Sequence, residues 1–273
     1  HLVMRCNMVS KLDGKHRRHL TKIILKQVAA FTVDNIGACL LLNIGFIILS
    51  GLILFLMFTI SESFFLFFLM LFPCCWLICW YLFAGSIFLK ELGSLPAASF
   101  FDFVLSLRNS FKQSASFGGL LTLYMVILLT TVPFYISMNS TGGWMLLTLV
   151  LCCILISVSA VQLLMPMYTV RAGKFSSSLK DSIVIVFLEP LFIILCSINS
   201  LCILFLSILT AFLLPGITVF LLFWQSAYRI LHLIYDADMS DAEISLFIEN
   251  EEAKTPDNPI KGFISPWKNK NGS

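Results

Sequence analysis

GACLLLNIGFIILSGLILFLMFTI, then SES, then FFLFFLMLFPCCWLICWYLFAGSIF: residues 37–88 carry one charged side chain, Glu62. The two apolar runs flank a three-residue turn and cover residues 37–60 and 64–88. At ~1.5 Å of helical rise per residue, each is long enough for the ~30 Å of bilayer hydrocarbon. The runs are continuous, not alternating, so they do not read as barrel strands. In lipid a single segment must satisfy its own backbone, and only a helix does that. The stretch therefore reads as a hairpin of two transmembrane helices.

The same reading extends outward to runs at 118–138, 144–169, 191–213 and 215–231, giving six spans. Hydrophobic residues make up 59% of the 273 and charged residues only 12%, against roughly 25% in soluble domains. The mean hydropathy is +0.94. The expected fold is an all-α integral membrane protein of three hairpins, with the bilayer as its first partner. Residues 1–36 form a basic N-terminus, 37–231 the membrane domain, and 232–273 an acidic, Pro-containing tail.

Charge distribution sets the expected topology. All 18 Lys and Arg fall in 1–36, 89–117, 170–190 and 229–273, and none in the turns at 61–63, 139–143 and 213–215. By the positive-inside rule both termini lie in the cytoplasm. Seven basic residues precede the first span, which suits an anionic membrane surface better than nucleic acid.

The cytoplasmic connections carry helical periodicity of their own. Leu20, Ile23, Ile24, Val28 and Phe31 share one helix face, as do Phe100, Phe103, Val104, Leu107 and Phe111, and Leu179, Ile183, Val186 and Phe187. Each hairpin is thus expected to follow an amphipathic surface helix. Ser178 with Asp181 reads as a capping box for the third. The chain repeats one pattern three times: surface helix, span, outer turn, span.

The spans are poor in chemistry. Glu189 stands at the mouth of span 5, before Pro190, and reads as a hydrated interfacial carboxylate or, alternatively, as the lining of a cavity. Together with Asn43, Gln162 and Asn199 it completes the candidate ligand-binding set. The numerous in-span Ser and Thr read as helix glue or a polar lining. Gly37, Gly45, Gly51, Gly118 and Gly119 suggest close helix approach, and Pro73, Pro133 and Pro166 suggest kinks. Eight of nine Cys lie in spans as small apolar fillers. No phosphate loop, His-Glu-X-X-His or Gly-X-Ser-X-Gly motif is present, so neither an enzyme nor a bound cofactor or metal is expected. The tail reads as disordered, or as carrying a docking segment at Ile244–Ile248 or Phe263–Trp267. Candidate partner-binding residues are Phe103, Arg108, Lys112, Lys180 and Trp267.

Residues 98–232 contain Met165-Pro166-Met167-Tyr168, then Phe175, then Leu179-Lys180-Asp181-Ser182, an apolar run and Leu214-Pro215-Gly216. With the aromatic-basic connector Phe100–Ser114, this stretch resembles the YesL-like family of bacterial integral membrane proteins. The first hairpin departs from the family, with Cys74-Cys75-Trp76 after Pro73. The resemblance implies a protein of the bacterial cytoplasmic membrane that accompanies carbohydrate uptake. It leads to the expectation of an accessory or regulatory protein beside an ABC importer or a membrane sensor. The alternative is a small-solute permease or exporter.

Overall fold

The computed structural model describes residues 12–60, 62–92, 100–171, 175–210, 216–236 and 239–254. Among them every regular element is an α-helix. Six helices are long and apolar enough to cross a membrane: α2 (Ile36–Ile60), α3 (Phe64–Leu92), α5 (Ser114–Ser137), α6 (Thr141–Arg171), α8 (Pro190–Leu209) and α9 (Gly216–Asp236). Each hairpin is preceded by a further helix: α1 (Gly14–Asp34), α4 (Phe100–Ser110) and α7 (Phe175–Leu188). A tenth, α10 (Asp241–Lys254), follows. The chain is an all-α integral membrane protein.

The span boundaries expected from hydropathy hold to within a few residues except at the end. The sixth span continues through Arg229 to Asp236. Arg229 does not end the helix at the headgroups; its guanidinium lies 3.7 Å from Glu251 of α10. Ser178 and Asp181 are no capping box either, because α7 already begins at Phe175. Pro215 and Leu214 lie outside the described residues.

By its contacts the chain divides inside α2. One unit takes the described residues up to Ile44 and those from Ser176 onward; the other is Gly45–Phe175. In the first unit α9 is the core helix, packed on α8 and α1. Of its most apolar window 67% is buried, against none of that of α5. Trp224, Phe223, Ala227 and Tyr228 are fully enclosed. The apolar face of α1 (Leu20, Ile23, Ile24 and Val28) is buried in protein, not offered to a membrane surface. Its N-cap Asp13 accepts from the His16 N–H at 2.6 Å. That bond, with the charge of His16, holds the exposed Asp13 carboxyl below its ordinary value.

In the second unit α3 packs on α4, α5 and α6. Two indoles tie α4 to α3. Trp80 donates to the Leu107 carbonyl at 2.7 Å, and Trp76 donates to Ser114 Oγ at 3.0 Å and to the Phe111 carbonyl at 3.3 Å. The Leu107 carbonyl belongs to the last turn of α4, where helical acceptors lack intrahelical donors, and the Phe111 carbonyl follows just beyond it. Lys90 does the same for the Thr169 carbonyl of α6, at 3.0 Å. Phe83, Phe117, Tyr168 and Phe175 form an aromatic cluster with centroids 5.2–5.9 Å apart, Phe83 tilted against Phe117 and the other pairs edge-on. The outer turn before α6 uses Asn139 at φ 42°, a conformation Asn tolerates, while Ser140 Oγ accepts from the Gly143 N–H at 3.1 Å.

The glycines divide by what faces them. A Cβ on Gly118 would stand 2.7 Å from the Trp76 Cα, and one on Gly45 would collide with the Tyr81 hydroxyl, whereas Gly37 and Gly51 face open space. Gly118→Ala should therefore push α5 off the backbone of α3 and cost about 1–3 kcal/mol. Gly51→Ala should cost nothing and gain helix propensity. Melting of both variants in one detergent checks the contrast; equal melting temperatures would remove the close approach.

The outward faces are apolar. Leu52, Leu54, Phe55 and Phe58 of α2 and Leu201, Phe205, Ile208 and Leu209 of α8 are more than half exposed. Contiguous apolar surface of this kind is unstable in water and stable against hydrocarbon.

Candidate functional site

Among the described side chains at the mouths of the spans, Glu189 is the one carboxylate that the fold encloses completely. The residue before a proline is biased away from helix, so the chain breaks between α7 and α8 at Glu189, with Pro190 as the first residue of α8. Freed from helical geometry, its carboxylate is gripped from three sides. Oε1 accepts from the Tyr235 hydroxyl at 2.6 Å and from the Leu12 N–H at 3.1 Å. Oε2 lies 3.4 Å from both Nε and Nη2 of Arg17. Side-chain exposure is 0% for Glu189 and 14% for Arg17. Glu189 is therefore not hydrated. It is a buried junction between the start of α1, the start of α8 and the end of α9.

A second polar knot lies within the same unit. Asn43 Oδ1 accepts from the Thr218 hydroxyl at 2.6 Å and from the Thr218 N–H at 3.0 Å, and the hydroxyl also lies 3.2 Å from the Cys39 carbonyl. The Thr218 N–H belongs to the first turn of α9, where a helix has spare donors. Asn43 thus caps α9 from α2. Gly216 makes this possible: at φ +64°, its missing side chain is what leaves room for the Asn43 amide.

The other candidates join neither knot. Asn199 donates to the Leu195 carbonyl of its own helix at 2.8 Å. Most in-span hydroxyls do likewise, as Thr122 does to Gly118, Ser159 to Leu155 and Ser207 to Ile203. This is local satisfaction of the hydroxyl, neither helix glue nor a lining. Gln162, in the second unit, keeps a buried Oε1 without a hydrogen-bond donor among the described residues. Phe103 is 6% exposed and meets Tyr81 and Phe88 edge-on, so it packs inside its unit and is not available to a partner. Arg108, Lys112 and Lys180 are exposed. Trp267, with the whole Phe263–Trp267 segment and Pro256, Pro259 and Pro266, lies outside the described residues.

Comparison with protein-family models, with curated proteins and with solved structures finds no match.

The described part of the tail, residues 239–254, contributes the third polar contact and is helical over Asp241–Lys254, where disorder was the expectation. The α10 helix packs on α1, with Ile244 and Ile248 buried. Its N-terminus is closed by Ser240, whose N–H and hydroxyl both donate to Glu243 at 2.7 Å. Glu251 accepts from Gln27 at 2.8 Å, and Glu252 meets His19 at 2.7 Å and Lys26 at 4.0 Å. The hydrogen bond from His19 holds the exposed Glu252 carboxyl below its ordinary 4.5, aided by the charges of His19, Lys26 and Lys22.

A carboxylate with a lowered folded-state pKa stabilises above its ordinary pKa and loses that effect as pH falls through the lowered value. The α10–α1 contact should therefore hold at neutral pH and loosen below pH 4.5. Spin labels on the exposed Ala29 and Ala253 should report a distance that broadens on acidification. Glu252→Gln should show the broadening already at neutral pH. An unchanged distance in both would exclude this pair as the latch.

Sequence reasoning missed Arg17, Tyr235 and Thr218 as partners. Each is separated from its counterpart by a long stretch of chain, and no local pattern links them.

Proposed function

We propose that the chain is an accessory or regulatory protein of the bacterial cytoplasmic membrane, with both termini inside. It would dock on a larger membrane assembly, an ABC importer for carbohydrates or a membrane sensor, and carry no solute itself. The observation that carries this reading is the fate of its in-span polar groups. Asn43 is spent on Thr218, Asn199 on Leu195, and the hydroxyls largely on their own helices. A solute path needs polar groups left over to replace water, and these are already engaged. The exposed Arg108, Lys112 and Lys180 offer charged contacts to a partner, and the resemblance to the YesL-like family supports the carbohydrate context.

The test is purification in mild detergent from native membranes, with the importer's membrane subunits quantified against this chain. Near-stoichiometric importer subunits, lost in an Arg108→Glu/Lys112→Glu variant that melts normally, are the expected result. A chain recovered alone, whose deletion leaves importer assembly and sugar uptake unchanged, would overturn the proposal.

A small-solute permease or exporter is the second reading. The buried Gln162 Oε1 favours it, since an unpaired acceptor in a span is what a solute hydroxyl would bond. Saccharide flux in liposomes that Gln162→Leu abolishes would decide for it.

A further inference from the structure

Beside the Glu189 junction runs a groove of about 240 Å³ lined by Gly14, Arg17, Arg18, Leu191, Ile194, Leu195 and Ile198. We propose that it binds one anionic phospholipid, with the phosphate at Arg18 and an acyl chain along α8. This rests on the membrane embedding of the chain and on the groove, and is independent of the accessory reading.

The two walls differ in chemistry and in depth. One is the first turn of α1, which brings two guanidiniums. Arg17 is engaged by Glu189. Arg18 is exposed, lines the groove, and donates through Nε to the Gly14 carbonyl at 3.2 Å, a bond that does not use its terminal nitrogens. Among the described residues it meets no carboxylate. The other wall is purely apolar and belongs to a span: Leu191, Ile194 and Ile198 are 50–60% exposed.

The depths match a lipid. Leu191 is the second residue of α8, so the guanidiniums lie level with the start of the span, where headgroups are. Ile198 lies seven residues further, about 10 Å deeper at helical rise. A charge at headgroup level above an apolar stripe at acyl level is complementary to a phospholipid monoanion and not to a free ion or a sugar. The volume is below the roughly 300–1,000 Å³ of pockets that enclose whole ligands. It suits a glycerophosphate headgroup whose chains lie outside, along α8. Arginine suits the role because its planar fork binds phosphate in a bidentate manner.

The test uses the full chain, delipidated and then equilibrated in mixed micelles with phosphatidylglycerol and phosphatidylcholine at equal concentration. Retained lipid is counted by native mass spectrometry. Wild type should retain phosphatidylglycerol in preference by about fivefold, the size expected of one basic group at a membrane surface. Arg18→Gln should bring the two lipids to parity, Arg18→Lys should keep most of the preference, and Ile194→Ser should lower retention of both. Lys180→Gln, a charge change outside the groove, should leave the preference intact. Loss of preference in Lys180→Gln equal to that in Arg18→Gln would reduce the effect to net charge and overturn the site. So would displacement of the lipid by millimolar inorganic phosphate, which would make it a phosphate site without a lipid. A wild type without preference would overturn it outright.

Discussion

Glu189→Ala should lower the unfolding free energy by about 3–5 kcal/mol, the cost of breaking a buried ion pair by removing one of its members. The substitution takes the Glu189 carboxylate away from Arg17, which is 14% exposed, and from the Tyr235 hydroxyl and the Leu12 N–H that donate to it. Three elements meet at this carboxylate, so the loss should spread to the α1–α9 packing. Thermal melting of the purified protein in one detergent, read by loss of the monodisperse peak, checks it. Glu189→Gln keeps the shape and part of the hydrogen bonding, and should fall between alanine and wild type. The cycle with Arg17→Met distinguishes a charge effect from a packing effect. Adding Arg17→Met to Glu189→Leu should recover the charge part of the loss, because replacing a buried pair by apolar groups is often neutral, while the Tyr235 hydroxyl and the Leu12 N–H still lack the Glu189 acceptor. Tyr235→Phe removes one neutral donor and should cost about 1–2 kcal/mol. If Glu189→Ala melts like wild type, the junction does not hold the unit together.

The six spans were legible because lipid imposes a length and an apolarity that few other structures need. That constraint is local, so a single sequence displays it. The outer turn at Asn139 was legible for the same reason, being set by residues that sit there. Glu189 was not. Beside Pro190 at a span mouth it looks like a hydrated carboxylate, and its burial depends on Arg17 and Leu12, which lie 172 and 177 residues upstream. Gly37 and Gly118 look alike in sequence, yet only one has a backbone against it. The α1 face was read correctly as apolar, but its partner was not, since a periodicity of 3.6 says that something covers Leu20, Ile24 and Val28 and not what.

The tail shows the same limit from the other side. Its acidic residues and prolines suggested disorder, while Ile244–Ile248 was the alternative as a docking segment. The structure realises the alternative for residues 241–254, and the partner is the chain itself. Glu251 and Glu252 take up Gln27, His19 and Lys26, so part of the basic N-terminus that suits an anionic membrane surface is already matched by the acidic tail. Arg18, at the groove beside α8, stands outside that pairing.

Gly216→Val should be the most damaging single change at the α2–α9 contact, costing about 3 kcal/mol. Two effects add at this residue. At φ +64° a β-branched side chain meets the left-handed penalty of ~1–2 kcal/mol. Its Cβ would also collide with the Asn43 amide, and forcing atoms into a packed contact costs roughly 1–3 kcal/mol. Asn43→Ala alone should cost about 1–3 kcal/mol by a different route, leaving the buried Thr218 N–H without its acceptor. The hydroxyl of Thr218 keeps the Cys39 carbonyl, which limits the damage. The double variant separates the terms: with Asn43→Ala present the collision is gone, and Gly216→Val should then cost only the backbone strain. Melting of the two singles and the double in one detergent gives the coupling. Strict additivity would mean that Gly216 is required by its backbone alone and that Asn43 does not press against it. A double variant more stable than Gly216→Val alone would locate the clash on the Asn43 side chain and fix how α2 holds the start of α9.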